Sequence, residues 1–299
     1  MKNFNKNPLT ITEQIELLES RGLVFTDKNT AKQHLERTSY YRLSGYMIPY
    51  YDRTTETFLQ WTKFKDITET YFFDGDLKLL LMEALELIEV DFKTKIINLL
   101  SIKYKTGHRF LDEMAFTTEA AYKNSQKTIQ DRVEKSKDTV FIKHYNEEYW
   151  DPVLPPSWMI FQILPFGENT GIYQALTKPN KILIAKQYNL RPFQFESRML
   201  CMSYLRNLCA HSDRVWNRRM TRKVNIKWWD NYFQWDRDSL FSYLIVICYL
   251  LRIIVPWCSR FSKLEKLIDN HKSIPLVKMG FPNNWKKIIG EKKFVIKDF

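Results

Sequence analysis

The chain has 299 residues, enough for one large domain or two modest ones, and 44% of them are apolar, which excludes bulk disorder. Only 8 are glycine, which argues against a turn-rich sheet protein. Lysine and arginine outnumber aspartate and glutamate by 46 to 34, and this formal charge of +12 favours a polyanionic partner, nucleic acid or an anionic membrane surface.

The first residues, Met1 to Pro8, are polar and lack the apolar core of a signal peptide. Thr10-Ile11-Thr12-Glu13 has the form of a capping box, Ile15, Leu17 and Leu18 follow as an apolar face, and Gly22 fits the stop. A second helix is predicted from about Thr30 to Ser39. The aromatic cluster Tyr40-Tyr41-Arg42-Leu43-Ser44-Gly45-Tyr46 comes next. Two short helices with a glycine-containing turn could form a helix-turn-helix, although a cap of small helices on a larger bundle is the simpler expectation.

From Asp76 to about Tyr104 the helical period is strong: Leu77, Leu80, Leu81, Ala84, Ile88, Phe92, Ile96 and Leu99 recur at three- and four-residue steps. Glu83, Glu86, Glu89 and Asp91 load the other surface, and Glu86 and Glu89 are candidates to pair with basic residues of a neighbouring helix. A polar helix is expected at 117–137, a proline loop at 150–156, helices at 157–164 and 181–188, and a break at 166–168. Pro192 suits the first position of a further helix. The stretch from Trp216 to Asp236 mixes tryptophans with basic residues, with a small strand pair near Lys223 to Lys227. Residues 240–255 read as a buried helix, because the uncharged run ends at Arg252, well short of the roughly 20 residues a membrane span needs. A short helix near 261–269 and a basic end complete the chain. The whole reads as all-α: an N-terminal helical region over 1–60, a helical domain over 61–270 and a basic, irregular tail over 271–299.

Four cysteines, Cys201, Cys209, Cys248 and Cys258, form no metal-binding or redox spacing and fit a reducing cytosol. A cytoplasmic protein without metal or cofactor is expected.

The chemistry-bearing stretch is Arg206-Asn207-Leu208-Cys209-Ala210-His211, followed by Ser212-Asp213-Arg214-Val215-Trp216-Asn217-Arg218. It places a guanidinium, an amide and an imidazole within about one and a half helical turns. A histidine moves protons near neutral pH, and an arginine holds charge developing on a phosphoryl group. Arg206 and His211 are about 140° apart around a regular helix, so they cooperate only if the helix loosens at its end, for which Ser212-Asp213 is a candidate. Cys201, Leu205 and Leu208 make the buried stripe, leaving Arg206 facing a groove or a partner subunit. The competing expectation is that Arg206 pairs with an acid and His211 merely ends a helix. None of His34, His108, His144 and His271 has an arginine at matching spacing, so the motif occurs once.

The hexapeptide resembles the Arg-x4-6-His signature of HEPN ribonucleases in its Arg-Asn-x-x-x-His form. Further blocks resemble the Abi family of phage abortive-infection proteins, of the AbiD/AbiF kind. They are Pro8-Leu9-Thr10-Ile11 through Arg21-Gly22-Leu23, residues 40–46, Phe73-Asp74 through Ile88-Glu89-Val90, Pro156-Ser157-Trp158-Met159 with Phe166-Gly167, Leu205-Arg206-Asn207 through Trp216-Asn217-Arg218, and Met279-Gly280-Phe281-Pro282 with Trp285.

The resemblance implies a HEPN-like bundle, a defence or toxin role, RNA as substrate and control by a structured non-coding RNA. Arg206, Asn207 and His211 would be catalytic, and one motif per chain would require a homodimer. Arg214, Arg218, Arg219, Arg222, Lys223 and Arg42 are the candidate RNA-binding residues. A non-catalytic RNA clamp and, more remotely, a DNA-binding regulator using the N-terminal helices are the alternatives.

Overall fold

A computed structural model describes residues 7–225, 236–255 and 260–290. Among them the chain forms thirteen α-helices and one small hairpin, so the fold is all-α as expected.

Helix α1 (Ile11–Ser20) begins with the capping box read from the sequence: Glu13 N–H donates to Thr10 Oγ1 at 3.3 Å, and Thr10 N–H donates to the Glu13 carboxylate at 2.7 Å. Gly22, at φ 89, lets Leu23 N–H turn back to Leu18 O. Asp27 caps α2 (Lys28–Thr38) through the amides of Asn29 and Thr30. Ser39, at φ 65, joins α2 directly to α3 (Tyr40–Met47), so the aromatic cluster is itself a helix. Strands β1 (Tyr51–Asp52) and β2 (Thr57–Phe58) pair antiparallel. No strand occurs at 223–225, and residues 226–227 of the expected pair lie outside the described residues.

Helix α4 (Phe64–Tyr104) is the spine of the molecule. Its 41 residues give a rod about 60 Å long. It starts twelve residues before the predicted Asp76. Residues 64–75 are rich in threonine and aromatic side chains of low helix propensity, but Phe64, Ile67, Thr70 and Phe73 are buried, and burial outweighs propensity.

Around α4 pack α7 (Ser157–Ile163), α8 (Phe166–Ala175), α9 (Lys178–Ala185), α10 (Pro192–Ala210), α11 (Leu240–Ile254) and α12 (Arg260–Asn270), with α3 near its start. Helix α5 (Glu119–Lys135) packs against α7 and α8, and α6 (Val140–Glu148) follows it in the chain. Pro165 begins α8 where a break was expected. The C-terminal part departs from an irregular tail over 274–290: α13 (Trp285–Gly290) forms, and Ile274, Met279, Phe281, Trp285, Ile288 and Ile289 are buried, because this basic segment carries enough apolar surface to pack. Among the described residues no helix is long and apolar enough to cross a membrane.

Candidate active site at the end of helix α10

Helix α10 begins with Pro192 at its first position, as predicted, and buries Met199, Cys201, Met202, Leu205, Leu208 and Cys209. Burial pushes the Cys201 thiol up to about 11 and the Cys209 thiol up to about 12, so both are protonated core groups. The helix stops at the motif. His211 is the C-cap, Ser212 N–H donates to Cys209 O at 3.1 Å, and Asp213 N–H donates to Leu208 O at 2.9 Å. This double turn puts Ser212 at φ 57, where glycine is the usual occupant and a serine costs about 1–2 kcal/mol.

Side chains from two other helices hold the strained exit. Asp74 of α4 is wholly buried, and its carboxylate accepts the Val215 N–H at 3.1 Å and the Trp216 N–H at 2.6 Å. The same carboxylate accepts the Tyr46 hydroxyl at 2.6 Å and pairs with Lys78 at 3.2 Å. From α3, Arg42 donates to the Ser212 carbonyl. Arg214 is half-buried, and its Nη1 donates to Trp216 O and Asn217 O, both at 3.1 Å. Burial holds its guanidinium below the usual arginine range.

Arg206 pairs with an acid, as the competing expectation had it, and its side chain stays part-exposed. Its Nε lies 3.4 Å from Glu89 Oε2 on α4, with the arginine side chain 31% exposed. Glu89 gives its other oxygen to Lys93 at 2.8 Å. Glu89 is thus one of the two acids expected to pair with a neighbouring helix, while Glu86 is exposed. Asn207 Oδ1 accepts from Arg206 Nη1 at 3.3 Å, so its amide oxygen serves the arginine. His211 is exposed at the helix end. One end of α10 therefore carries a braced guanidinium and a solvent-facing imidazole on a pinned backbone.

The candidate RNA-binding residues fall into two groups. Arg42 and Arg214 spend hydrogen bonds on the exit loop. Arg218 is half-buried and reaches Arg214 O at 3.3 Å; Arg219, Arg222 and Lys223 are exposed. Arg219 is countered by Asp236 at 3.3 Å and Asp238 at 3.2 Å. Trp216 is fully buried, whereas Trp228, Trp229 and Trp235 lie outside the described residues. Among the described residues no group of three or more His, Cys, Asp and Glu side chains is placed to hold a metal ion.

Sequence reasoning missed Asp74 and Tyr46. The available signal was a carboxylate in register with Leu77 and Leu81 on the apolar face of a helix, where only a fully hydrogen-bonded acid is tolerated.

The family profile described as "Abi-like protein" matches residues 33–217. The chain belongs to the Abi-like family. The span assigned to that family starts within α2 and ends at Asn217, so it contains the whole network: Arg42, Tyr46, Asp74, Glu89, the motif and its exit loop. Family membership points to abortive infection, a form of phage defence. Comparison with curated proteins and with solved structures returned no match.

Proposed function

We propose that this Abi-like protein is a phage-defence effector that cleaves RNA without a metal, with Arg206 and His211 as the reacting pair in a HEPN-type site. The observation that carries this reading is the contrast at the end of α10: Arg206 is braced by a buried carboxylate, while His211, the C-cap five positions on, stands exposed.

The chemistry follows from the groups. The RNA 2′-oxygen attacks the neighbouring phosphorus, the bond from phosphorus to the 5′-oxygen breaks, and the products are a 2′,3′-cyclic phosphate and a 5′-hydroxyl. A base must take the 2′ proton and an acid must supply one to the 5′-oxygen. The motif carries a single imidazole in each chain, that of His211. A two-fold dimer brings two, one for each proton transfer, and two Arg206 guanidiniums to hold the phosphoryl charge. Asn207 fixes the Arg206 head, and Arg218, Arg222 and Lys223 guide the RNA backbone to the site.

A non-catalytic RNA clamp would use the same basic face and leave His211 without a task. The DNA-binding alternative has less support, because α3 is packed on α4 and Arg42 is committed to the exit loop. Phage plating on cells expressing the wild type or His211→Ala separates the readings. Cleavage requires that soluble His211→Ala lose protection and toxicity while keeping RNA binding. Undiminished protection by that variant refutes it.

A further inference from the structure

The loop leaving α10 contains two residues in the left-handed region, Ser212 at φ 57 and Asn217 at φ 48. Neither is glycine, so the conformation persists only where surrounding groups over-determine it. Within the loop, Arg214 bonds Trp216 O and Asn217 O, which closes its far half. The near half, next to His211, is held by the Ser212 and Asp213 amides on carbonyls of α10 and, from outside, by Arg42 on the Ser212 carbonyl, with Asp74 taking the Val215 and Trp216 amides just beyond. Asp74 is itself fixed by the Tyr46 hydroxyl, one helical turn after Arg42 on α3.

His211 sits between these constraints. On one side its N–H is tied into α10 through Asn207 O at 2.9 Å. On the other, the peptide that follows it donates its Ser212 N–H to Cys209 O at 3.1 Å, and the peptide after that presents the Ser212 carbonyl to Arg42. A guanidinium gripping that carbonyl braces the backbone one peptide beyond His211, and so the platform from which the imidazole projects, without touching it.

We propose that Arg42, supported by Tyr46 and Asp74, is a positioning residue for His211: the N-terminal helix α3 clasps the exit loop and thereby orients the imidazole. This rests on the cleavage reading above for its functional consequence, and on the hydrogen bonds alone for its structural one. It also gives Arg42 a task besides phosphate binding, since one of its nitrogens donates to a backbone carbonyl.

The test uses full-length Arg42→Gln, Arg42→Lys and Tyr46→Phe. Arg42 is exposed, and Tyr46→Phe preserves shape, so folding of at least one variant is expected. The first readout needs no activity. In protein labelled at histidine carbons, the imidazole resonance of His211, assigned by its absence in His211→Ala, should shift in Arg42→Gln and Tyr46→Phe. Amide exchange at Val215 and Trp216 should accelerate at least tenfold, with α10 unchanged. The second readout is kinetic. Turnover at saturating RNA should fall at least tenfold in Arg42→Gln, with affinity and its salt dependence unaltered, and Arg42→Lys should recover part of the loss.

An unmoved His211 resonance with unchanged exchange would overturn the clasp. So would a flattened salt dependence with intact turnover, which would make Arg42 a phosphate contact. If the wild type cuts no RNA, the proposed function fails, and the resonance and exchange data still decide whether α3 positions His211.

Discussion

Arg206 and Glu89, 117 positions apart in sequence, meet at 3.4 Å between the last turn of α10 and the middle of α4. The pair fixes the guanidinium of the motif before any ligand arrives. Glu89 is 9% exposed and keeps Lys93 when Arg206 is removed. Loss of Arg206 therefore costs less than the loss of a lone partner of a buried charge. Arg206→Ala should lower stability by about 1–2 kcal/mol, with solvent screening of the part-exposed arginine limiting the effect, and should abolish cleavage. Glu89→Gln should weaken cleavage less than Arg206→Ala, because the guanidinium remains but is freed. Denaturant titration and single-turnover rates on both variants check this ordering.

Asp74 has far more at stake. Its carboxylate accepts two backbone amides and a tyrosine hydroxyl and pairs with Lys78, all at a wholly buried position. Asp74→Ala should destabilise the protein by about 3–5 kcal/mol, since it orphans several buried donors and one charge at once. The urea midpoint measures it. A loss below about 1 kcal/mol would mean that water replaces the carboxylate.

Stability should also fall in alkali. The Cys201 and Cys209 thiols are raised from 9.0 to about 11 and about 12 by burial, and Tyr46, Tyr173 and Tyr243 are raised above 10.0 for the same reason. The unfolded chain then releases protons at a lower pH than the folded one. Stability is complete below about pH 9 and is lost as pH rises toward the folded values. Thermal melts from about pH 8 to about pH 10.5 should show a steady decline, and thiol alkylation at about pH 8 should leave Cys201 and Cys209 unmodified in the native protein.

The start of α1 and the first turn of α10 were legible in the sequence, because a capping box and a first-position proline are local signals. The end of α10 was legible to within two residues: the helix runs through Ala210 with His211 as its C-cap, so the loosening expected at Ser212-Asp213 comes after the motif and Arg206 to Ala210 stay helical. What sequence could not supply was the partner across space. Asp74 and Val215 are 141 positions apart, and nothing near either residue announces the other. Arg42 was legible only as a candidate RNA contact, and its hydrogen bond to the Ser212 carbonyl comes from the packing of α3 against the exit loop. Residues 64–75 of α4 were missed for a related reason: their helicity comes from burial, not propensity.

RNA binding should divide the basic run. Arg222 and Lys223 are exposed, whereas Arg219 is already countered by two aspartates. Arg222→Gln with Lys223→Gln should flatten the salt dependence of RNA affinity by a logarithmic slope of roughly 0.7 for each phosphate that is no longer neutralised. Arg219→Gln should change it less. Binding curves across salt concentrations test the ranking, and equal effects would show that the aspartates release Arg219 when RNA arrives.

The central claim is that the end of α10 cleaves RNA through His211 without a metal, in a two-copy site. The most direct measurement is incubation of purified protein with single-stranded RNA in excess chelator, with product ends and particle mass read together. The account predicts 2′,3′-cyclic phosphate and 5′-hydroxyl ends from a particle of twice the 36.1 kDa chain mass, and no product from His211→Ala at equal RNA occupancy. Cleavage that survives in His211→Ala, or that comes from a strict monomer, would contradict it.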